Sequence, residues 1–294
     1  MKSIFITGST GFIGKNILQY FNSEFEFYNF SKSKKININQ NVVLHLAGKA
    51  HDFKNTSNYS EYYNVNTELT KTIYDHFLLS NAEVFIALSS VKAAADKLDN
   101  ILTEECCPLP LTHYGKSKLL SEQYILSKEI PQGKRVYLLR PCMVHGPGNK
   151  GNLNLLYKIV SKGLPWPLGA FENKRSFCSI DNLCFIINEL INNNQIPSGI
   201  YNIADDEPLS TNELIDLISI SLGKNSNVWN IPKWVIKSLS RLGDLFSFPI
   251  NSERLSKLTE TYVVSNYKIK KAINKPLPLT SKVGLMKTFN TFNH

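Results

Sequence analysis

Two hydrophobic rhythms alternate along the first two thirds of the chain. Short β-branched and aromatic runs lie at Ser3–Thr7, Phe25–Phe30, Val42–Leu46, Val84–Ser89, Val136–Arg140 and Gly199–Ile203. Their length and residue types predict strands. Longer amphipathic stretches separate them, among them Lys15–Phe21, Tyr62–Leu79 and Tyr114–Lys128, and these predict helices. Strand–helix alternation predicts an α/β fold with a doubly wound parallel sheet. Beyond Arg140 the rhythm changes. Pro141–Gly151 is rich in Gly and Pro and predicts a loop, Leu153–Lys162 a helix, and Pro165–Gly169 a turn. Thr211–Leu222 and Pro232–Leu245 predict further helices. The organisation expected is a sheet domain over 1–145, joined by 176–203, and a smaller C-terminal lobe from 146–175 and 204–294. There is no internal repeat and no low-complexity linker.

The first strand runs directly into Gly8-Ser-Thr10-Gly11-Phe12-Ile13-Gly14 and then a helix. Strand, glycine turn and helix start in that order form a cradle for a dinucleotide pyrophosphate. Gly8 serves the tight turn, Gly11 lets backbone approach the phosphates, and Gly14 lets helix and strand pack closely. The helix N-terminus adds unpaired N–H groups and a positive dipole end. Taken alone, such glycines are equally read as an ordinary turn; the flanking strand and helix favour the cradle. No Gly-Lys-Ser/Thr follows, which excludes a phosphate-loop NTPase.

Composition narrows the setting. At 294 residues and 43% hydrophobic content the chain can bury a large core. No apolar run approaches the roughly 20 residues that cross a bilayer, and the N-terminus does not read as a signal peptide, so a cytoplasmic protein without an integral membrane segment is expected. The five cysteines lack Cys-x-x-Cys or zinc spacing and read as reduced thiols, with no metal site expected. The net charge is +9, but the lysines are scattered and no nucleic-acid motif accompanies them. An anionic small molecule is the preferred partner, a solvated basic face the plainer alternative. Val228–Phe248 interleaves Trp229, Trp234, Val235, Ile236, Leu239, Leu242, Leu245 and Phe246 with cations. It fits an interfacial amphipathic helix or, as the preferred reading, a helix covering the C-terminal lobe.

Tyr114-Gly-Lys-Ser-Lys118 places a phenol and an ammonium at i and i+4 on one helix face. A free Tyr, with a pKa near 10, is too weak an acid for proton exchange near neutrality. A neighbouring Lys and an oxidised nicotinamide would lower that value. Ser89 and Ser90 stand at the end of a predicted strand, where doubly wound sheets bind ligands. The competing readings are a surface Tyr/Lys pair and serines that cap a turn.

Together these motifs resemble the extended short-chain dehydrogenase/reductase family, of the NAD-dependent epimerase/dehydratase type. The marks are Thr7-Gly8-x-x-Gly11-Phe-Ile-Gly14, His45-Leu-Ala-Gly48, Asn64-Val-Asn66, Ser89-Ser90, Tyr114-x-x-x-Lys118 and Arg140-Pro141-x-x-Val144-x-Gly146-Pro-Gly148. The resemblance implies Tyr114 as acid/base, Lys118 as its tuner and a hold on the nicotinamide ribose, and Ser90 as partner of the substrate oxygen, with Ser89 in reserve. It implies a cofactor held by Gly8, Thr10, Gly11, Phe12, Ile13, Gly14, Leu46, Ala47, Gly48, Asn66, Tyr114, Lys118, Pro141 and Val144. Later motifs, Gly148–Leu153, Gly163–Gly169 and Arg175–Leu183, are similar to a nucleotide-sugar 4-epimerase and 4-reductase subgroup. That implies substrate contacts at Ser89, Ser90, Tyr114, Asn152, Arg175 and Arg254, with Arg175 on a UDP phosphate. The plainer reading of Arg175 is an ion pair with Glu172 or Asp181.

Departures from the family pattern sharpen the expectation. NAD-specific members end the second strand with an acid; here Ser31 and Lys32 stand there, which favours NADP(H) over the alternative NAD(H). The Ser31–Asn41 connection is short. Val91 and Lys92 replace the Asp-Glu pair of sugar dehydratases, and Val91 replaces the Cys of GDP-fucose synthases, so both chemistries are disfavoured. The resemblance thus implies an enzyme acting at carbon 4 of a UDP-N-acetylhexosamine-type sugar in surface polysaccharide synthesis. The first expectation is reduction of UDP-2-acetamido-2,6-dideoxy-4-hexulose, the alternative 4-epimerisation of a UDP-sugar of the UDP-glucose or UDP-N-acetylglucosamine type, and the distant one a non-catalytic dinucleotide-binding protein. A homodimer through Tyr62–Leu79 and Tyr114–Lys128 is a family-level expectation.

Overall fold

Strands β1 (Lys2–Thr7), β3 (Val42–His45), β4 (Val84–Leu88) and β5 (Arg135–Pro141) are apolar on both faces, which suits the centre of a parallel sheet. In the computed structural model, which describes residues 1–31, 33, 35–50, 59–149, 151–246 and 251–293, they are joined by β2 (Phe25–Asn29) and β8 (Gly199–Ile203). For 245, 246, 253, 254, 257 and 293 only the backbone is described. The strand order is β2-β1-β3-β4-β5-β8, every pair parallel. The order reverses between β1 and β3, the crevice where such sheets bind ligands. Among the described residues of the short Ser31–Asn41 connection there is no strand, so β2 is the edge of the sheet.

Helices cover both faces. Ile4, Ile6, Leu44, Ile86 and Leu139 pack against Ile17 of α1 (Phe12–Tyr20), and the helix at Ile180–Asn192 adds Leu183, Ile187 and Leu190 to the same core. The alternate residues Phe5, Val43, Phe85, Val136 and Leu138 face the opposite helix layer. That layer begins with α2 (Tyr59–Tyr63), widens through a π-helical turn at Asn64–Glu68 and continues as α3 (Leu69–Leu79). The helix expected over Tyr62–Leu79 is therefore two helices joined by a turn that carries Asn66 and Thr67 inward. The layer is completed by α4 (His113–Leu126).

The Gly/Pro run after Arg140 is not all loop. It contains β6 (Met143–His145), which pairs in parallel with β7 (Phe177–Ser179). Strands this short carry no readable period. Between them lies α5 (Asn152–Ser161), and α6 (Ile180–Asn192) follows β7. A second core gathers Leu156 and Tyr157 of α5, Leu214 and Ile218 of α7 (Thr211–Ser221), and residues of three later helices. These are α8 (Lys233–Phe246) with Ile236, α9 (Ser252–Thr259) with Leu255, and the helix at Ser281–Asn290 with Leu285 and Phe289. The intervening α10 (Tyr267–Ile273) returns to the sheet core through Ile269 and Ile273, and α11 (Ser281–Asn290) closes the second one. A seam of Val91, Ala94, Leu102, Ala204, Tyr262 and Val264 lies beside the end of β4. Among the described residues no helix is long and apolar enough to cross a membrane.

Candidate active site

The glycine turn is shaped as its sequence demands. Gly8 adopts φ +74°, and a Cβ on it would sit 2.6 Å from the Ala47 nitrogen. A Cβ on Gly14 would sit 2.3 Å from the Gly8 carbonyl oxygen. Both contacts are with backbone, which cannot swing aside, so neither position tolerates a side chain. Gly11 caps α1 without any side-chain acceptor, and Thr10 and Gly11 are exposed. The first-turn N–H groups of α1 are thus unclaimed by a side-chain cap at the sheet's crevice, which fits a dinucleotide pyrophosphate. Ile13 packs on the sheet core, and Asn16 ties α1 to the Pro147 carbonyl at 3.1 Å. Phe12 lies beside Gly146.

Behind Leu46, Ala47 and Gly48 runs a closed relay of buried polar groups. The Ala47 N–H donates to Thr7 Oγ1 (3.1 Å), which meets His45 Nδ1 (2.8 Å). His45 Nε2 meets Thr70 Oγ1 (2.8 Å), which donates to the Asn66 carbonyl (2.7 Å). The directions close only if Thr7 donates to Nδ1 and His45 carries its proton on Nε2. Burial, then the Lys118 charge, pushes the His45 pKa down to about 3, so the ring stays neutral. Asn66 extends the network by accepting from the Lys49 N–H (2.8 Å) and donating to Ser117 Oγ (2.9 Å). The π-helical turn is thereby locked to α4 one residue before Lys118.

Ser90, Tyr114 and Lys118 converge at the end of β4. Asp96 fixes the approach to α4 by accepting from the N–H groups of Leu111 (2.6 Å) and Thr112 (3.0 Å), and Thr112 caps the helix. Gly115 then lets α4 run against the turn after Ser90: a Cβ there would lie 2.4 Å from the Lys92 carbonyl oxygen. The Ser90 side chain favours ionisation of Tyr114, and the half-buried Tyr114 ring stands 6.4 Å from that of Tyr62. The expected lowering of the Tyr114 pKa by Lys118 is not what this arrangement produces. Burial raises it, and the group that opposes the rise is Ser90. Lys118 Nζ instead donates to the Leu88 carbonyl (2.8 Å). Burial pulls its own pKa down to about 8.

Ser89 faces elsewhere. Its hydroxyl donates to Glu122, which also receives two bonds from Arg140, from Nε at 2.9 Å and Nη2 at 2.5 Å. Arg140 and Glu122 are each 1% exposed. Ser89 therefore belongs to a buried ion-pair cluster that bolts α4 to β4 and β5, and its hydroxyl is committed there rather than to a ligand. Sequence reading missed Glu122. The available signal was its position, four residues beyond Lys118 on the face that carries Tyr114.

The remaining candidates are more dispersed. Pro141 ends β5, and Val144 lies half-buried on β6. Asn152 is exposed at the start of α5. Arg175 pairs with neither Glu172 nor Asp181 but with Glu260, at 2.7 Å; Asp181 is taken by Lys287. Arg175 and Glu260 act electrostatically on Lys92, whose Nζ stacks 4.1 Å from the Tyr262 ring centre. Ser31 bonds to Ser33 (2.8 Å) beside a shallow cavity lined by Tyr28, Phe30, Lys35 and Gln40. Lys32 and the Arg254 side chain lie outside the described residues.

The sequence pattern of the NAD dependent epimerase/dehydratase family matches residues 4–204. The chain is 29% identical to a UDP-glucose 4-epimerase from Vibrio cholerae, over 99% of this chain and 95% of that one. It is 26% identical to an N-acetyl-alpha-D-glucosaminyl-diphospho-ditrans,octacis-undecaprenol 4-epimerase from Escherichia coli O157:H7, over 92% and 85%. Two solved structures from Bacillus cereus share the fold at 18% identity. A UDP-N-acetylglucosamine 4-epimerase superposes with TM-score 0.77 over 100% of both chains. A UDP-glucuronic acid 4-epimerase in complex with NAD gives 0.73 over 99% and 98%.

Proposed function

Because this enzyme belongs to the NAD dependent epimerase/dehydratase family, we propose that it is a 4-epimerase of a UDP-hexose or UDP-N-acetylhexosamine. The observation that carries the reading is the end-to-end likeness to a UDP-glucose 4-epimerase, covering 99% of this chain. The convergence of Ser90, Tyr114 and Lys118 at the end of β4 supports it, with Lys118 reaching the Leu88 carbonyl and lying against Gly48. This reading moves the weight from the 4-keto reductase that the sequence first favoured to its alternative.

In this reading Gly8, Thr10, Gly11, Phe12, Ile13 and Gly14, with Leu46, Ala47 and Gly48, hold the dinucleotide, and Asn66, Pro141 and Val144 line its nicotinamide end. When bound, the dinucleotide supplies reversible hydride exchange with carbon 4. The chain's own part is to handle the proton. Tyr114 takes it from the 4-hydroxyl and returns it, and Ser90 keeps the sugar oxygen in line with the phenol. Burial makes the Tyr114 phenol a weaker acid in the free chain, so a cationic charge arriving beside it is what would bring it into range. Lys118, turned from Leu88 toward the ribose, supplies part of that charge. Arg175 takes a UDP phosphate in exchange for Glu260, and Asn152 and Arg254 are the further substrate contacts.

Ser31 favours a second reading. With a serine in place of an acid at the end of β2, and Lys35 on the adjoining cavity, the site also suits NADP(H) and net 4-keto reduction. One experiment separates the two. Purified protein is given UDP-glucose and, separately, UDP-N-acetylglucosamine, and the 4-epimers are followed by NMR while NADPH and NADH absorbance is followed with a UDP-4-keto sugar. Interconversion without net cofactor use supports the epimerase; stoichiometric NADPH loss without interconversion replaces it with the reductase. Tyr114→Phe should cost either activity 10²-fold or more, on the order of a lost general acid–base, and full turnover would remove Tyr114 from the chemistry. A homodimer through α3 and α4, where Leu120 and Leu126 are exposed, is part of the proposal.

A further inference from the structure

Helix α8 sits on the second core with its largest apolar residues outside the buried row. The buried row is Ile236, Ser240 and Gly243, at i, i+4 and i+7. The large apolar residues face out: Trp234 is 72% exposed, Leu239 55% and Leu242 48%, with Trp229 of the preceding segment 52% exposed. The half-buried Val235 and the exposed Leu239 and Leu242 form one row, and Lys233, Lys237 and Arg241 form another on the opposite side of the buried row. A helix that needed only to cover its own core would present the reverse pattern.

Charge says what the exposed face is for. Between Asp216 and Asp244 the sequence holds Lys224, Lys233, Lys237 and Arg241 and no acid. Among the described residues Lys237 and Arg241 have no acidic partner. Cations flanking an exposed Trp/Leu stripe are matched to a surface that is negative at its headgroups and apolar just beneath, where tryptophan rings settle. An acidic protein partner would satisfy the cations but would need a preformed apolar groove for the stripe. A second copy of this chain, carrying the same positive face, would be repelled.

We propose that α8 and Trp229 dock the enzyme on an anionic lipid bilayer, with the second core's helices toward the membrane. The docking is independent of which sugar the enzyme turns over, so its test reads binding alone. The full chain is floated with vesicles of equal parts phosphatidylglycerol and phosphatidylcholine, and with phosphatidylcholine alone, alongside a Lys237→Glu/Arg241→Glu variant and a Leu239→Ser/Leu242→Ser variant. These side chains are exposed, and circular dichroism with the thermal midpoint checks that both variants fold. The wild type should float with the anionic vesicles and accumulate there roughly tenfold or more over the neutral ones. Each variant should lose most of that binding, and high salt should weaken the wild type. No flotation with anionic vesicles overturns the proposal, as does flotation that both variants retain. A drop in solution mass in the leucine variant without loss of lipid binding overturns it too, because the face would then belong to a second copy.

Discussion

At the scale of single residues, the candidate chemistry depends on one missing methyl group. Gly115 lies between Tyr114 and Lys116, and a side chain there would meet the Lys92 carbonyl at 2.4 Å and Pro110 Cβ at 2.8 Å. The first neighbour is backbone in the turn that begins at Ser90, so α4 would have to retreat and carry Tyr114 away from Ser90. Gly115→Ala should therefore destabilise the fold by about 1–3 kcal/mol, the usual cost of overpacking. It should also lower turnover by more than the loss of folded protein explains, because a displacement near 1 Å is enough to cost about 10²-fold. Thermal unfolding and turnover per folded molecule check the two parts separately, and wild-type turnover in a folded variant would show that α4 does not set the Ser90–Tyr114 contact. The pattern Tyr114-x-x-x-Lys118 was legible in the sequence because both residues lie within one helix. The direction of the Tyr114 pKa was not, because its burial is a property of the assembled site.

At the scale of elements, the six strands of the sheet were legible because each is a β-branched or aromatic run with a clear boundary. The β6–β7 pair was not, since its strands are three residues each and one lies inside a Gly/Pro run. Nor was the π-helical turn, whose widening shows only when Asn66 is seen between Lys49 and Ser117. The least legible feature is what holds α4 to the sheet. Glu122 on α4 and Arg140 on β5 form a pair with both side chains 1% exposed, reinforced by Ser89 beyond β4. Removing one partner leaves the other charge buried and alone, which costs about 3–5 kcal/mol. Arg140→Met should lose that much stability. Arg140→Met with Glu122→Leu should recover most of it, since an apolar pair of similar volume carries no stranded charge. Denaturant unfolding of the two single variants and the double variant measures the coupling. Equal losses in Arg140→Met and the double variant would mean that lost packing, not stranded charge, is what Arg140 guards against.

At the scale of the whole molecule, the chain crosses repeatedly between the sheet core and the second core, and the last crossing is the most consequential. Helix α10 buries Ile269 and Ile273 against the sheet core, while α11 buries Leu285 and Phe289 in the second. Polar ties reinforce both. Asn182 of α6 exchanges hydrogen bonds with the Leu279 backbone at 2.9 and 3.0 Å, and His145 of β6 meets Thr288 of α11 at 2.9 Å. Burying Ile269, Ile273, Leu285 and Phe289 at about 1.5–3 kcal/mol each is comparable with the net stability of an ordinary domain, about 5–15 kcal/mol. A chain ending at Asn266 should therefore not keep a folded sheet domain with a ragged lobe. It should lose fixed tertiary packing throughout, read as loss of the near-ultraviolet circular dichroism and of a cooperative thermal transition, while the full chain unfolds in one transition. A truncated chain that still melted cooperatively would show that the sheet core stands without α10 and that the two cores fold separately. The sequence boundary drawn at 203/204 treats everything beyond it as one lobe, and α10 shows why a linear division fails. A seven-residue helix with two buried isoleucines carries no local sign of which core it will join; that is decided by the surface left open between β8 and α6.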